Sequence, residues 1–156
     1  MPKTAVDAAL LPSDEVADRA IEANRELLKQ CPGKIVLDTE GCLPHISLAM
    51  GCVDDKDIAH IRAILGELAE KHRLGALICA GIHVGTNSAG EKVSVLELKR
   101  TDTLQSLHEE VMHRLACWFS YDVTPEMLIS PPEAGESTLR WIRDYPAKSS
   151  FKRFFP

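Results

Sequence analysis

The sequence predicts an α+β fold in one domain, and three observations carry that expectation. Its 156 residues, 45% of them hydrophobic, are of ordinary single-domain size and can bury a sizeable core without a disulfide or metal staple. Short β-rich apolar runs alternate with stretches whose apolar residues recur at helical spacing, joined by brief connections. No solenoid period, low-complexity tract or linker divides the chain, so the order strand, helix, strands, helix, strands, helix implies two packed α+β lobes within residues 1–156.

Taken in order, an apolar strand over residues 5–11 ends at Pro12. Ser13 is placed to cap a helix whose first turn carries Asp14 and Glu15, the right sign for its dipole. Val16, Ala20, Ile21, Leu27 and Leu28 form its apolar stripe, and Pro32 and Gly33 stop it. Residues 34–38 read as a second short strand. Residues 46–53 read as a third, so apolar along its length that both faces are expected to be covered. Asp54 or Asp55 then caps a helix with Ile58, Ile61, Ile64, Leu65 and Leu68 on one face, closed by Lys71, His72 and Arg73 and ended by Gly75.

Residues 77–84 and 92–98 are β-rich and flank Gly85, Thr86, Asn87, Ser88, Ala89 and Gly90, a composition suited to a hairpin loop. Thr101 or Asp102 opens a helix with Leu104, Leu107, Val111, Leu115 and Trp118 inward. Prolines at 125, 131 and 132 break periodicity over residues 120–135, which reads as an ordered loop or lid. A short helix over residues 138–143 leads into Lys148, Ser149, Ser150, Phe151, Lys152 and Arg153.

Charge and cysteine content narrow the partners and the compartment. A formal net charge of -5 argues against a broad basic surface for duplex DNA, while leaving room for a local pocket that grips one phosphate or one nucleotide. Cys31, Cys42, Cys52, Cys79 and Cys117 form no Cys-x-x-Cys pair, as expected of buried thiols in a reducing compartment. The start of the chain lacks the apolar core and cleavage site of a signal peptide, and no stretch approaches membrane-spanning length. The expectation is a cytoplasmic protein with no membrane partner.

The run Pro44, His45, Ile46, Ser47, Leu48 carries the chemistry. On a strand, side chains two residues apart share a face, so His45 and Ser47 form a ready-made pair. An imidazole exchanges protons near neutral pH, and a hydroxyl donates to an anionic oxygen, which suits phosphate chemistry. Both are the candidate catalytic residues.

At these residues the chain resembles the 2H phosphoesterases, which include 2′-5′ RNA ligases and cyclic nucleotide phosphodiesterases and carry two His-x-Thr/Ser motifs in two similar lobes. The strand with Leu10, Leu11 and Pro12 before a capped helix is similar to the family's opening. Pro44-His45-Ile46-Ser47-Leu48 before a helix is similar to its first motif, and Phe154-Phe155-Pro156 to the lead into its second. The resemblance implies a bilobal fold with antiparallel sheets flanked by helices and a central cleft. It also implies a metal-independent RNA-end phosphoesterase with no cofactor, acting on 2′,3′-cyclic phosphates or 2′-5′ linkages, so that RNA ends or small cyclic nucleotides are the partners. One histidine would take a proton from water or a ribose hydroxyl while the other gives one to the leaving oxygen, and Ser47 would hold a non-bridging oxygen.

The second motif is missing. His60, His72, His108 and His113 are followed two places later by Arg62, Leu74, Glu110 and Leu115, and His83 by Gly85. Either the natural protein continues past Pro156 with a second histidine strand, or half the site is lost and the chain is a non-catalytic nucleotide- or protein-binding module. The apolar end made by Phe151, Phe154 and Phe155 favours truncation, because terminal residues are typically solvated.

Other features have plainer readings. Cys42, His45 and Cys52 match no compact zinc framework, so no metal site is expected. Cys42 reads as a buried thiol and His83 as a strand histidine at a loop edge. Lys148, Lys152 and Arg153 are placed to approach a phosphate, though short charge runs are usually solvated faces. Trp118, Trp141 and Tyr145 read as core or lid packing before base stacking.

Overall fold

The computed structural model describes residues 1–30, 35–86, 92–129 and 136–156, with only the backbone considered for Lys92 and Val93. The fold is α+β. Its elements are β1 (Lys3–Leu10), α1 (Asp14–Gln30), β2 (Ile46–Asp54), α2 (Ile58–Lys71), β3 (Cys79–Thr86), β4 (Lys92–Leu98), α3 (Asp102–Leu115) and α4 (Glu136–Lys148). Single 3-10 turns lie at Asp55–Asp57, Pro125–Met127 and Phe151–Arg153. β1 pairs with β2 in one two-stranded sheet, and β3 pairs with β4 in another. Among the described residues no helix is long and apolar enough to cross a membrane.

The chain divides into two compact units, Met1–Ala8 with Leu48–Pro156, and Ala9–Ser47. In the larger unit the core forms where β2 meets the helices. Leu48 and Ala49, and then Gly51, Cys52 and Val53, are buried along β2, and because neighbouring positions point to opposite faces both faces of this strand are covered, as its apolar run predicted. Ile61, Ile64 and Leu68 of α2 and Leu104, Leu107, Val111, Met112 and Leu115 of α3 are the buried stripes of those helices. α2 packs on α3, and Glu67 of the first takes Arg114 of the second at 2.8 Å. Thr101 caps α3 as expected, its hydroxyl accepting from the Leu104 N–H at 3.2 Å. Cys52 exchanges two backbone hydrogen bonds of 2.8 Å with Ser120, tying the segment after α3 to the strand. Next to it, Gly51 lies under the Phe119 ring, where an added Cβ would stand 2.6 Å from a ring carbon.

Four expectations about element ends need correction. The helix after β2 is not capped by Asp54 or Asp55. Asp55 instead accepts the Thr4 hydroxyl at 2.7 Å, and a 3-10 turn intervenes before α2. α2 stops at Lys71 with His72 already extended, four residues before Gly75, because the His72 ring turns to Glu110 of α3 at 2.7 Å. Trp118 lies beyond α3 and is half-buried against His60, with ring centroids 4.7 Å apart. The last helix runs well past residue 143 to Lys148 through Pro146, which sits in the final turn where only one backbone bond is lost. Burial of Ile142 and Tyr145 holds that turn in place.

The expected hairpin forms, but its first strand runs from Cys79 to Thr86 rather than over 77–84, so Gly85 and Thr86, expected in the loop, pair with Val93 and Lys92. β3 and β4 are antiparallel, with Ala80 bulged between the pairs Cys79–Leu98 and Gly81–Glu97. Gly81 has φ 153°, a backbone region that favours glycine, which explains its place at the bulge. The hairpin loop at Asn87, Ser88, Ala89 and Gly90 lies outside the described residues, as does the part of the expected lid from residue 130 to Gly135.

In the smaller unit, α1 follows Ser13, whose carbonyl accepts the Val16 and Ala17 N–H groups at 3.0 and 2.9 Å. The strand expected over residues 34–38 is absent from 35–38, and Lys34 lies outside the described residues. The side-chain amide of Asn24 takes the place of a neighbouring strand. Its Nδ2 donates to the Ile35 carbonyl at 3.0 Å and its Oδ1 accepts from the Leu37 N–H at 2.9 Å. The extended backbone is thereby satisfied without a sheet.

Candidate functional site

The approach to β2 is shaped by Asp38. Its Oδ1 accepts the backbone N–H groups of Cys42, Glu40 and Gly41 at 3.0, 2.8 and 2.5 Å, while its own N–H donates to the Cys42 carbonyl at 3.0 Å. These donors hold the carboxyl below the usual carboxylate range. The chain then passes through Pro44, which has no N–H to offer a ladder, and regular strand begins at Ile46. His45 therefore stands one residue before β2 rather than on the strand as expected, and Ser47 is the second residue on it.

His45 is exposed and Ser47 is half-buried. The Nδ1 of His45 donates to the Leu43 carbonyl at 2.6 Å. A carbonyl only accepts, so in the neutral ring the proton sits on Nδ1 and the lone pair on Nε2. The imidazole is thus held in the tautomer whose outer nitrogen takes protons. The carbonyl that selects this tautomer is local, since Leu43 is two residues away.

The remaining histidines fall into structural roles. His108 is fully buried, with Nδ1 donating to the Leu48 carbonyl at 2.7 Å and Nε2 accepting the Phe151 N–H at 2.7 Å. Burial pushes its pKa down, against smaller raising effects of the Leu48 bond and the Glu109 charge. His83 lies on exposed β3 with its ring 5.4 Å from that of Phe155, in keeping with a strand histidine near a loop. His113 meets the edge of Phe151 at 5.2 Å.

Cysteines and aromatics depart in part from expectation. Cys52 is buried and Cys42 is half-buried, its thiol pushed up by burial and by Asp38, so it is no thiolate partner for His45. Cys79 and Cys117 are exposed, contrary to the buried thiols expected, and Cys31 lies outside the described residues. Among the described residues no group of three His, Cys, Asp or Glu side chains is placed to hold a metal ion. Tyr145 is core, with its hydroxyl pKa raised by burial, whereas Trp141 is 40% exposed on α4.

The basic residues near the end of the chain separate. Lys148 is occupied by Asp144 at 2.6 Å. Lys152 and Arg153 line a cavity of about 410 Å³ together with Lys99 and Arg100. The last two were not singled out in the sequence, where they are an ordinary Lys-Arg pair after β4. The only signal for them was their place at a strand end.

No family model matches this chain, and no curated protein or solved structure matches it significantly.

Proposed function

We propose that this protein is an RNA-end phosphoesterase in which His45 is the general base and Ser47 a donor to the phosphoryl group. The observation that supports the reading is the Nδ1 bond from His45 to the Leu43 carbonyl, which in the neutral ring puts the basic lone pair on Nε2, with a serine two residues on. The reaction proposed is hydrolysis of a 2′,3′-cyclic phosphate or of a 2′-5′ linkage. His45 Nε2 takes a proton from water, the water oxygen bonds to phosphorus, and the bond from phosphorus to a ribose oxygen breaks. A general acid protonates that leaving oxygen. In the two-histidine pattern the acid is a second histidine with its own hydroxyl, on the other side of a cleft between two lobes. None of the other five histidines of residues 1–156 has a hydroxyl residue two places on.

Ser47 contributes where charge builds on the non-bridging oxygens, which is the position at which a fixed donor lowers the barrier most. The test is His45→Ala, assayed beside the unsubstituted protein on a 2′,3′-cyclic nucleotide. Turnover is expected to fall by about 10²–10⁴-fold, the usual worth of a positioned base. Unchanged turnover overturns the reading.

A further inference from the structure

The four cations just after β4 and in the C-terminal segment lack acidic partners among the described residues. Arg19, Lys29, Lys71, Arg114, Arg140 and Lys148 are each within 3.0 Å of a carboxylate, while Lys3, Arg25, Lys56, Arg62, Arg73 and Arg143 are dispersed without an ion pair among the described residues, so what distinguishes the four is that they share one cavity. Lys99, Arg100, Lys152 and Arg153 form no ion pair among the described residues, although they belong to a chain with formal net charge -5 and all line one cavity. Against these four cations the cavity lining carries the Glu97 side chain and, in the 156-residue chain, the terminal carboxylate of Pro156, so positive charge is in excess. Four like charges held around one open space repel one another, and a bound anion removes that cost.

Arg100 is also held in place. Its Nη1 donates to the carbonyls of Lys152 and Phe154, both at 3.2 Å, which uses two of the five donors of the guanidinium. The Nε and Nη2 donors make no hydrogen bond among the described residues, and that edge is the one that matches two phosphate oxygens. The Leu98 N–H donates to an oxygen of the terminal Pro156 at 3.3 Å, so the C-terminal segment is fastened both to the end of β4 and, through Arg100, to the residues just after it.

A volume of about 410 Å³ is more than a lone inorganic phosphate fills, and lies in the range of small-molecule sites. The rest of the wall includes Phe155, which is 53% exposed and braced by the His83 ring at 5.4 Å. A half-exposed aromatic face beside a cationic cluster fits a ligand with phosphoryl groups at one end and a flat ring at the other. A neighbouring cavity of about 400 Å³ shares Arg100 and Lys152 but carries Asp102 and Glu109, which disfavour an anion there.

We propose that Lys99, Arg100, Lys152 and Arg153 form a nucleotide site that takes a nucleoside diphosphate, with its base on Phe155. The site does not depend on His45 or on the phosphoesterase reading.

Calorimetric titration of the 156-residue chain with ADP and with inorganic pyrophosphate tests this. ADP is expected to bind severalfold more tightly than pyrophosphate, and Phe155→Ala should remove that difference. The exposed pair Lys99→Gln with Lys152→Gln should weaken both ligands about ten-fold or more. These two positions are chosen because Arg100→Gln would also release the C-terminal segment. Absence of saturable binding at about 1 mM ligand overturns the site, as does an affinity unaltered in the double variant. Pyrophosphate binding as tightly as ADP overturns the nucleoside assignment.

Discussion

The Nε2 of His108 accepts the backbone N–H of Phe151 at 2.7 Å, across 43 residues of sequence. Its Nδ1 must then carry the proton, which it donates to the Leu48 carbonyl. The ring also stacks on Phe154, with centroids 4.0 Å apart and planes within 3°. One buried imidazole thus joins β2, α3 and the C-terminal segment. It holds Phe151 at φ 52°, a left-handed conformation that costs a non-glycine residue about 1–2 kcal/mol. Gln105 helps by donating its Nε2 to the Phe151 carbonyl at 3.0 Å.

Replacing His108 with Ala is expected to destabilise the protein by about 3–5 kcal/mol. The substitution leaves the Leu48 carbonyl and the Phe151 N–H without their partner and opens a cavity against Phe154. Urea unfolding at neutral pH measures it. A loss below about 1 kcal/mol would mean that these two bonds contribute little.

The same residue sets a pH dependence. The folded-state pKa of His108 lies below its ordinary 6.5, so on acidification the unfolded chain takes up this proton first. Stability from this group is complete above pH 6.5 and declines as the pH falls toward the folded value. Carboxylates with lowered values, among them Asp38, Glu110 and Asp144, act in the same direction only below about pH 4.5. Melting curves from pH 7 down to about 5 should therefore show falling stability in the wild type and a shallower fall in His108→Phe. Equal slopes in the two proteins would refute it.

Gly51→Ala is expected to cost about 1–3 kcal/mol by overpacking. The new methyl would stand 2.6 Å from one Phe119 ring carbon and 3.0 Å from its Cβ, so rotating the ring cannot relieve the clash. Phe119→Ala in the same chain should restore part of the loss, which a double-mutant cycle by thermal unfolding detects. Additive effects would place the strain elsewhere.

Much of the architecture was legible because its signals are local. Thr101 announces α3 through a cap three residues from its partner Leu104, and the helical spacing of Ile61, Ile64 and Leu68 announces α2. The unbroken apolar run from Leu48 to Val53 marks a covered strand. The spacing of His45 and Ser47 is likewise local, and the tautomer of His45 follows from a carbonyl only two residues away.

The misreadings occurred where a side chain far along the sequence took over a backbone's role. Residues 35–38 have strand composition, yet Asn24, 11 residues before Ile35, supplies the hydrogen bonds that a neighbouring strand would have given. Asp55 looked like a helix cap and instead serves Thr4, 51 residues away.

By itself, then, the sequence determined an α+β class and the positions of most helices and strands. Tertiary structure alone decided that His108 is a core residue rather than a chemical one, since its two partners lie 60 and 43 residues from it. It alone brought Lys99 and Arg100 to the same cavity as Lys152 and Arg153. The physical reason is that periodicity and capping act within a turn or two of the chain, whereas burial, charge clustering and ring stacking depend on which distant segments meet.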